Sequence, residues 1–233
     1  MTNPTPNPHI SKKFDHELDN IRTNTLRLGG MAEDQVHLAI LAIKDNNIAL
    51  AEQIIADDHK LDLMEASVNE QCIHILAQRQ PIACDLRLVI AVIRALNDIE
   101  RIGDDAKRIA RITINMSNQY PEQVKLDLLL EFGEQVIRLL HDALDAFARM
   151  DAEAAMEIKQ RDRLMDIFYG DILKMQMHDI SVTPSIVPMA FNLIWIAKRF
   201  ERIGDRICNI CEHIMNYKLT QEKSSNINLT LQH

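Results

Sequence analysis

The 233-residue chain is poor in the residues that turn a chain and in rings: six glycines, seven prolines and only 4% aromatics. Pro4, Pro6 and Pro8 crowd the start, leaving Pro81, Pro121, Pro184 and Pro188 as the breaks inside the body. Strands need Gly, Pro, Asn and Asp at close intervals to reverse direction, so a β-sandwich, a barrel and a doubly wound sheet are excluded. The fold class is all-α. Long apolar runs are also missing. The longest, Leu38–Ile43 and Leu88–Ile93, have six residues, whereas a membrane span needs about twenty. The protein is therefore not expected to be an integral membrane protein. No charged and then apolar opening marks a secretory signal. A basic excess is absent too: the net charge is -8, the pI about 5.6, and no Lys/Arg cluster stands out. Displacing counterions from phosphates needs such a cluster, so no nucleic-acid partner is expected.

The four cysteines are Cys72, Cys84, Cys208 and Cys211. Cys208 and Cys211 form a Cys-x-x-Cys, but inside a helical stretch and with no second pair to complete a zinc set. They read as helix-packing thiols in a reduced, cytoplasmic protein. The eleven methionines read as interior filling.

Punctuation divides the body into six long helices, expected at about 11–46, 48–78, 82–117, 121–148, 152–179 and 183–218. Thr183-Pro184 supplies an N-cap followed by a first-turn proline. Residues 1–9 read as a disordered lead and the Ser/Asn-rich 219–233 as a disordered tail. Helices of about thirty residues are ~45 Å long, which suits an elongated bundle.

The chain also repeats itself. Glu100-Arg101-Ile102-Gly103-Asp104 recurs letter for letter as Glu201-Arg202-Ile203-Gly204-Asp205, 101 residues on. Upstream, at a displacement of 104, Ala39, Ala42 and Ala51 match Ala143, Ala146 and Ala155, and Asp58 and Asp62 match Asp162 and Asp166. The chain is thus two tandem, sequence-related three-helix bundles, with repeat 1 at 10–118 and repeat 2 at 119–218.

Each copy carries i, i+4 carboxylates on two helices: Asp58/Asp62 and Glu100/Asp104, then Asp162/Asp166 and Glu201/Asp205. Such pairs share a face and, left unneutralised, weaken the helix by a few tenths of a kcal/mol. Gly103 and Gly204 each cost roughly 1 kcal/mol more relative to alanine. The same penalties in both copies point beyond helix stability. In repeat 1 the acidic face also holds Lys107, Arg108 and Arg111; in repeat 2 the equivalents are Cys208, Asn209 and Glu212. Glu201, Asp205 and Glu212 therefore form an acidic ladder with no basic partner at those spacings. A hard cation such as Mg²⁺, Mn²⁺ or iron suits carboxylate-only ligation. A solvated polar face is the competing reading, and the pattern leaves both open while favouring metal in repeat 2.

Other constellations are weaker. No Glu-x-x-His pair, His-Glu-x-x-His, Gly-x-Ser-x-Gly or Gly-rich phosphate loop occurs. His59, His74 and His141 lie on helices, where phosphotransfer is a far rarer role than ordinary surface packing. The chain is not expected to be an enzyme.

The paired Glu-Arg-Ile-Gly-Asp motifs on the third helix of each copy resemble those of the PhoU family. So do Arg79-Gln80-Pro81-Ile82-Ala83-Cys84-Asp85-Leu86-Arg87, the opening from His9 to Met31, and Asp145-Ala146-Phe147-Ala148-Arg149-Met150-Asp151. The resemblance spans about 9–218. It implies a cytoplasmic homodimer that negatively regulates the phosphate-starvation response and phosphate uptake. Its partners would be the phosphate ABC transporter ATPase and a sensor histidine kinase at the inner face of the membrane. It also implies metal bound through Glu100, Asp104, Glu201 and Asp205; Asp62 and Asp166 join them as further candidate ligands because they lie on the neighbouring helix of each copy. Many relatives have histidine directly after the last aspartate, where this chain has Asp105 and Arg206. Repeat 2 keeps the family's continuation as Asn209-Ile210-Cys211-Glu212, whereas repeat 1 reads Arg108-Ile109-Ala110-Arg111. The first site is therefore expected to be weaker, to hold fewer ions, or to be replaced by a salt-bridge network. The competing functions are a metal-storage or metal-dependent enzyme on the same scaffold, and a plain scaffold with solvated acidic faces.

Overall fold

The computed structural model describes the backbone of residues 8–117 and 125–230, with side chains over the same range except 8–11, 83 and 220–230. Six long α-helices and one short one account for nearly all of it. They are α1 (Pro8–Lys44), α2 (Ile48–Arg79), α3 (Ala83–Ser117), α4 (Asp127–Arg149), α5 (Ala152–Gln160), α6 (Arg163–Val182) and α7 (Val187–Thr230), with a 3-10 turn at Pro184–Ile186 before α7. No strand occurs among the described residues.

Local chemistry sets the helix ends, and the two copies use the same device. Asn46 takes the left-handed conformation at φ 47°, and Asn47 then caps α2 by accepting from the Leu50 amide at 3.1 Å. In repeat 2, 104 residues on, Met150 is left-handed at φ 49° and Asp151 caps α5 by accepting from Glu153 and Ala154. A short polar side chain at the N-cap satisfies amides that have no partner inside the helix. Helix α2 ends on left-handed Gln80, and Pro81 follows, which cannot continue a helix.

Three boundaries differ from the sequence reading. The fifth expected helix is broken at Arg161-Asp162 into α5 and α6. There Arg161, Asp162, Leu164 and Met165 make short-range amide bonds to Ile158, Lys159, Arg161 and Asp162. No glycine or proline announces the break; a tight turn and a bridge from Arg161 to Asp142 at 2.6 Å accompany it. Helix α7 continues to Thr230, through most of the stretch expected to be a tail, since no proline after Pro188 interrupts it. Helix α1 begins at Pro8, inside the expected lead, in the first-turn position that suits proline. Residues 1–7, 118–124 and 231–233 lie outside the described residues, and with them the expected start of the fourth helix at 121 and the boundary at 118/119.

Helices α1–α3 pack on one another, and so do α4–α7. The two bundles are joined by α1 against α4 and by α3 against α7, the most extensive helix pair in the molecule. The apolar core is continuous through both bundles. In the second it includes Phe132 stacked on Phe168 at 5.4 Å and edge-on to Phe200 at 5.6 Å. Arg22 of α1 donates to the Ala148 carbonyl at the end of α4 at 2.6 Å. No helix among the described residues is long and apolar enough to cross a membrane.

Candidate metal centre

The glycine of each repeated motif sits where two helices come close. A β-carbon on Gly103 would lie 2.8 Å from Leu61 Cδ1 of α2 and 3.0 Å from Gln35 Oε1 of α1. On Gly204 it would lie 3.1 Å from Met165 Cγ of α6. Glycine thus lets α3 close on α2, and α7 on α6, beside the carboxylates that both helices carry. The penalty visible in the sequence is what this approach requires.

In repeat 1, burial first, and then the charges of Asp104, Asp62 and Glu65, push the Glu100 carboxyl above its ordinary range. Glu65 is itself raised by burial and by Asp62. The cluster also contains an internal cation. Lys107 Nζ donates to the buried Asp58 and to Asp104 Oδ1 at 2.9 Å. Burial opposes the Lys107 charge, but hydrogen bonds to Asp58 and Asp104 outweigh it and raise its pKa. Arg108 approaches Asp104 at 3.9 Å. A salt-bridge network therefore occupies the first copy.

In repeat 2 Asp205 lies exposed on α7; partial desolvation at the helix surface, then Glu201, then Asp162, raise its carboxyl, against smaller opposing effects of Lys198 and Arg206. Asp162 stands at the α5–α6 break, beside the N-terminus of α6, where the helix dipole favours a negative charge. Glu201 Oε1 accepts from Lys198 at 2.7 Å, while its Oε2 is buried with no hydrogen-bond partner among the described residues. The acidic ladder is thus less bare than its spacing suggests, because Lys198 reaches Glu201 from i-3 and Lys159 of α5 pairs with Glu212. Asp205 has no ion pair among the described residues. Cys208 borders the site, and burial and Asp162 push its thiol far above the ordinary range. Cys211 is pushed up to about 12 by burial. Both are inert packing thiols.

Among the sequence-chosen residues, Glu100, Asp104 and Asp62 share one electrostatic neighbourhood and Glu201 and Asp205 another. Asp166 lies exposed on α6, as Asp62 does on α2 and Asp205 on α7, but the carboxylate from that side that acts on Asp205 is Asp162. Glu65 lies outside the repeated motif, yet Asp62 and Glu65 at i, i+3 share a helix face. Among the described residues, no three His, Cys, Asp or Glu groups converge closely enough to enclose an ion. The donor chemistry nonetheless fits a hard cation: all-oxygen ligands, mutual repulsion, and a buried Glu201 oxygen without a partner.

A family profile, the PhoU domain, matches this chain twice, at residues 25–113 and 129–214. The chain belongs to the PhoU family. The two matches are displaced by 104 residues at their starts and 101 at their ends, the same two displacements seen in the repeat. A phosphate-specific transport system accessory protein PhoU from Serratia marcescens is 41% identical over 224 residues, covering 95% of this chain and 91% of the relative. The Escherichia coli K12 protein of that name is 39% identical, covering 93% and 89%. The crystal structure of PhoU from Pseudomonas aeruginosa superposes with a TM-score of 0.84 at 36% identity, covering 88% of this chain and 98% of the other. The phosphate transport system regulatory protein PhoU from Streptococcus pneumoniae gives 0.80 at 29% identity, covering 88% and 96%.

Proposed function

We propose that this PhoU-family protein is a cytoplasmic, non-enzymatic accessory protein of phosphate transport that negatively regulates the phosphate-starvation response and phosphate uptake. It acts as a homodimer linking the ATPase of a phosphate ABC transporter to a sensor histidine kinase at the inner face of the membrane. The names of its close relatives support the accessory role, and the two motif-bearing helices support metal binding. Glu201 and Asp205 would hold a hard cation such as Mg²⁺, Mn²⁺ or iron, with Asp162 beside them and Asp166 as a further candidate. Glu100, Asp104 and Asp62 would hold one only after Lys107 leaves the cluster. The bound ion would supply positive charge that relieves carboxylate repulsion and fixes the spacing of α6 and α7.

The carrying observation is the buried Glu201 Oε2, without a hydrogen-bond partner among the described residues, beside the Asp205 carboxyl raised by partial desolvation and by the charges of Glu201 and Asp162. The test is alkaline-phosphatase output in phosphate-replete cells lacking the protein. Complementation with wild type should restore repression, and the Glu201→Gln, Asp205→Asn double variant at equal level should not. Failure of folded wild type to repress would overturn the regulatory role; full repression by the double variant would remove the carboxylates from it.

A further inference from the structure

Helix α7 carries two large rings in the open. Phe191 is 52% exposed and Trp195, the only tryptophan of the chain, 59%. They stand one turn apart, and Arg199, Arg202 and Arg206 follow Trp195 at i+4, i+7 and i+11, on the same side of the helix. Helix α3 runs antiparallel beside this stripe. Asp98 pairs with Arg206 at 3.6 Å, and Asp105 with Arg199 at 3.2 Å and Arg202 at 3.6 Å. Continuing that register sets Trp195 and Phe191 beside residues 109–113 of α3, where Arg108 and Ile112 are half-buried.

Arg94, Arg101 and Arg108 stand seven residues apart on α3, so they form one row along the seam. Arg94 and Arg101 are exposed and make no ion pair among the described residues. Six arginines therefore share this face with two acids, Asp98 and Asp105, which are buried beneath it. The acids at its border are Glu100 and Asp104 on α3 and Asp205 on α7; Lys107 already engages Asp104 at 2.9 Å. In a chain of net charge -8, this is a local excess of positive charge, with two aromatic rings at one end of it.

We infer that the α3–α7 face docks on the surface of an anionic lipid bilayer, with Phe191 and Trp195 at headgroup level and the arginines against lipid phosphates. Tryptophan is enriched at the boundary between hydrocarbon and water, and guanidinium forks match phosphate oxygens. Attraction of basic residues to anionic lipid acts within a Debye length, so a cationic face can dock although the whole chain is acidic. A second copy is a poorer occupant, because a two-fold contact lays the patch on itself, arginine row against arginine row. An acidic protein would answer the arginines; rings that stand more than half exposed on a helix favour a soft headgroup layer that closes around them. The proposed regulatory role sets the protein at the inner face of the membrane. The inference rests on that reading only for its cellular setting, since purified protein and vesicles test lipid contact by themselves.

The single tryptophan is the reporter. The full chain, in EDTA, is mixed with vesicles of phosphatidylglycerol or of phosphatidylcholine, and Trp195 emission is read alongside sedimentation. Wild type should sediment with phosphatidylglycerol and shift Trp195 emission to the blue, with neither effect on phosphatidylcholine, and about 0.5 M salt should release it. Arg94→Gln with Arg101→Gln should weaken binding roughly twentyfold, since each basic residue near an anionic leaflet contributes about fivefold. Phe191→Ser should weaken it at least about fivefold through lost apolar contact. Arg138→Gln, a change in an exposed α4 arginine, should bind as wild type. Circular dichroism checks that each variant is folded. Capture without a blue shift, or equal capture of wild type and the folded double variant, would overturn the inference. So would no capture at all, which leaves the face to an acidic protein, or Trp195 emission that is already blue and moves red on dilution, which assigns the face to a second copy.

Discussion

The two copies of Glu-Arg-Ile-Gly-Asp are identical in sequence and sit in different electrostatic surroundings. In repeat 1, α2 is continuous past Asp58 and Asp62, and Lys107 from α3 lies between Asp58 and Asp104. In repeat 2 the corresponding helix breaks at Arg161-Asp162, Cys208 stands where Lys107 would be, and Asp162 bears on Asp205. The nearest cation, Lys198, is half-exposed and reaches only one oxygen of Glu201. Like-charge motifs therefore become a self-neutralised structural cluster in one bundle and an incompletely neutralised one in the other. The difference comes from residues outside the motif, so motif identity does not imply site equivalence.

The largest effect that separates the copies should come from the two lysines. Lys107→Met leaves the buried Asp58 without its cation, a change that costs about 3 kcal/mol. For a chain of this size that lowers the Tm by roughly 6–12 °C. Lys198→Met removes a half-exposed pair, worth ~0–1 kcal/mol. Thermal unfolding in EDTA checks both, and similar losses would erase the distinction. Added Mn²⁺ should recover part of the Lys107→Met loss, because that variant makes repeat 1 resemble repeat 2.

The glycines sharpen the comparison at a smaller scale. Gly103→Ala places its methyl against Leu61 and Gln35, and overpacking of about 1–3 kcal/mol exceeds the helix gain of roughly 1 kcal/mol. Gly204→Ala meets the flexible Met165 side chain at 3.1 Å, where the two effects nearly cancel. A lower denaturant midpoint for the first and little change for the second is the expected result.

The smallest effect is the pH dependence of the metal-free protein. Glu100 and Asp205 have raised carboxyl pKa values, so the native chain holds these protons more tightly than the unfolded chain. Their penalty is present in full above the folded value and fades as pH falls through it. It is gone below the ordinary carboxylate range near pH 4. Glu100→Gln and Asp205→Asn should each raise the Tm by about 1 °C at neutral pH, since relieving a like-charge pair recovers a few tenths of a kcal/mol. That gain should vanish near pH 4; a gain that grows on acidification would reverse the assigned sign.

Much of this was legible in the sequence. Scarce glycine and proline and a 101–104 residue self-similarity specify tandem helical bundles, because few positions can interrupt a helix. The basic residues beside Glu100 and Asp104 correctly signalled internal neutralisation in repeat 1. Other features depend on contacts between distant helices. Lys159 pairs with Glu212 across 53 positions, which intra-helix spacing does not reveal. The α5–α6 break has no sequence breaker, so Asp166 looked equivalent to Asp62 although Asp162 bears on Asp205. Asp105 and Arg206, which stand where many relatives have histidine, belong instead to the buried α3–α7 seam. Its signal was present as Asp98 and Asp105 seven apart on a largely apolar face, facing arginines on α7.

The most direct test of the difference between the copies is elemental analysis of the purified protein and its two paired amide variants after loading with Mn²⁺ and gel filtration. Glu201→Gln with Asp205→Asn should remove most of the bound metal, whereas Glu100→Gln with Asp104→Asn should leave most of it. A larger loss from the Glu100, Asp104 variant than from the Glu201, Asp205 variant, or metal content unchanged in both, would contradict the account.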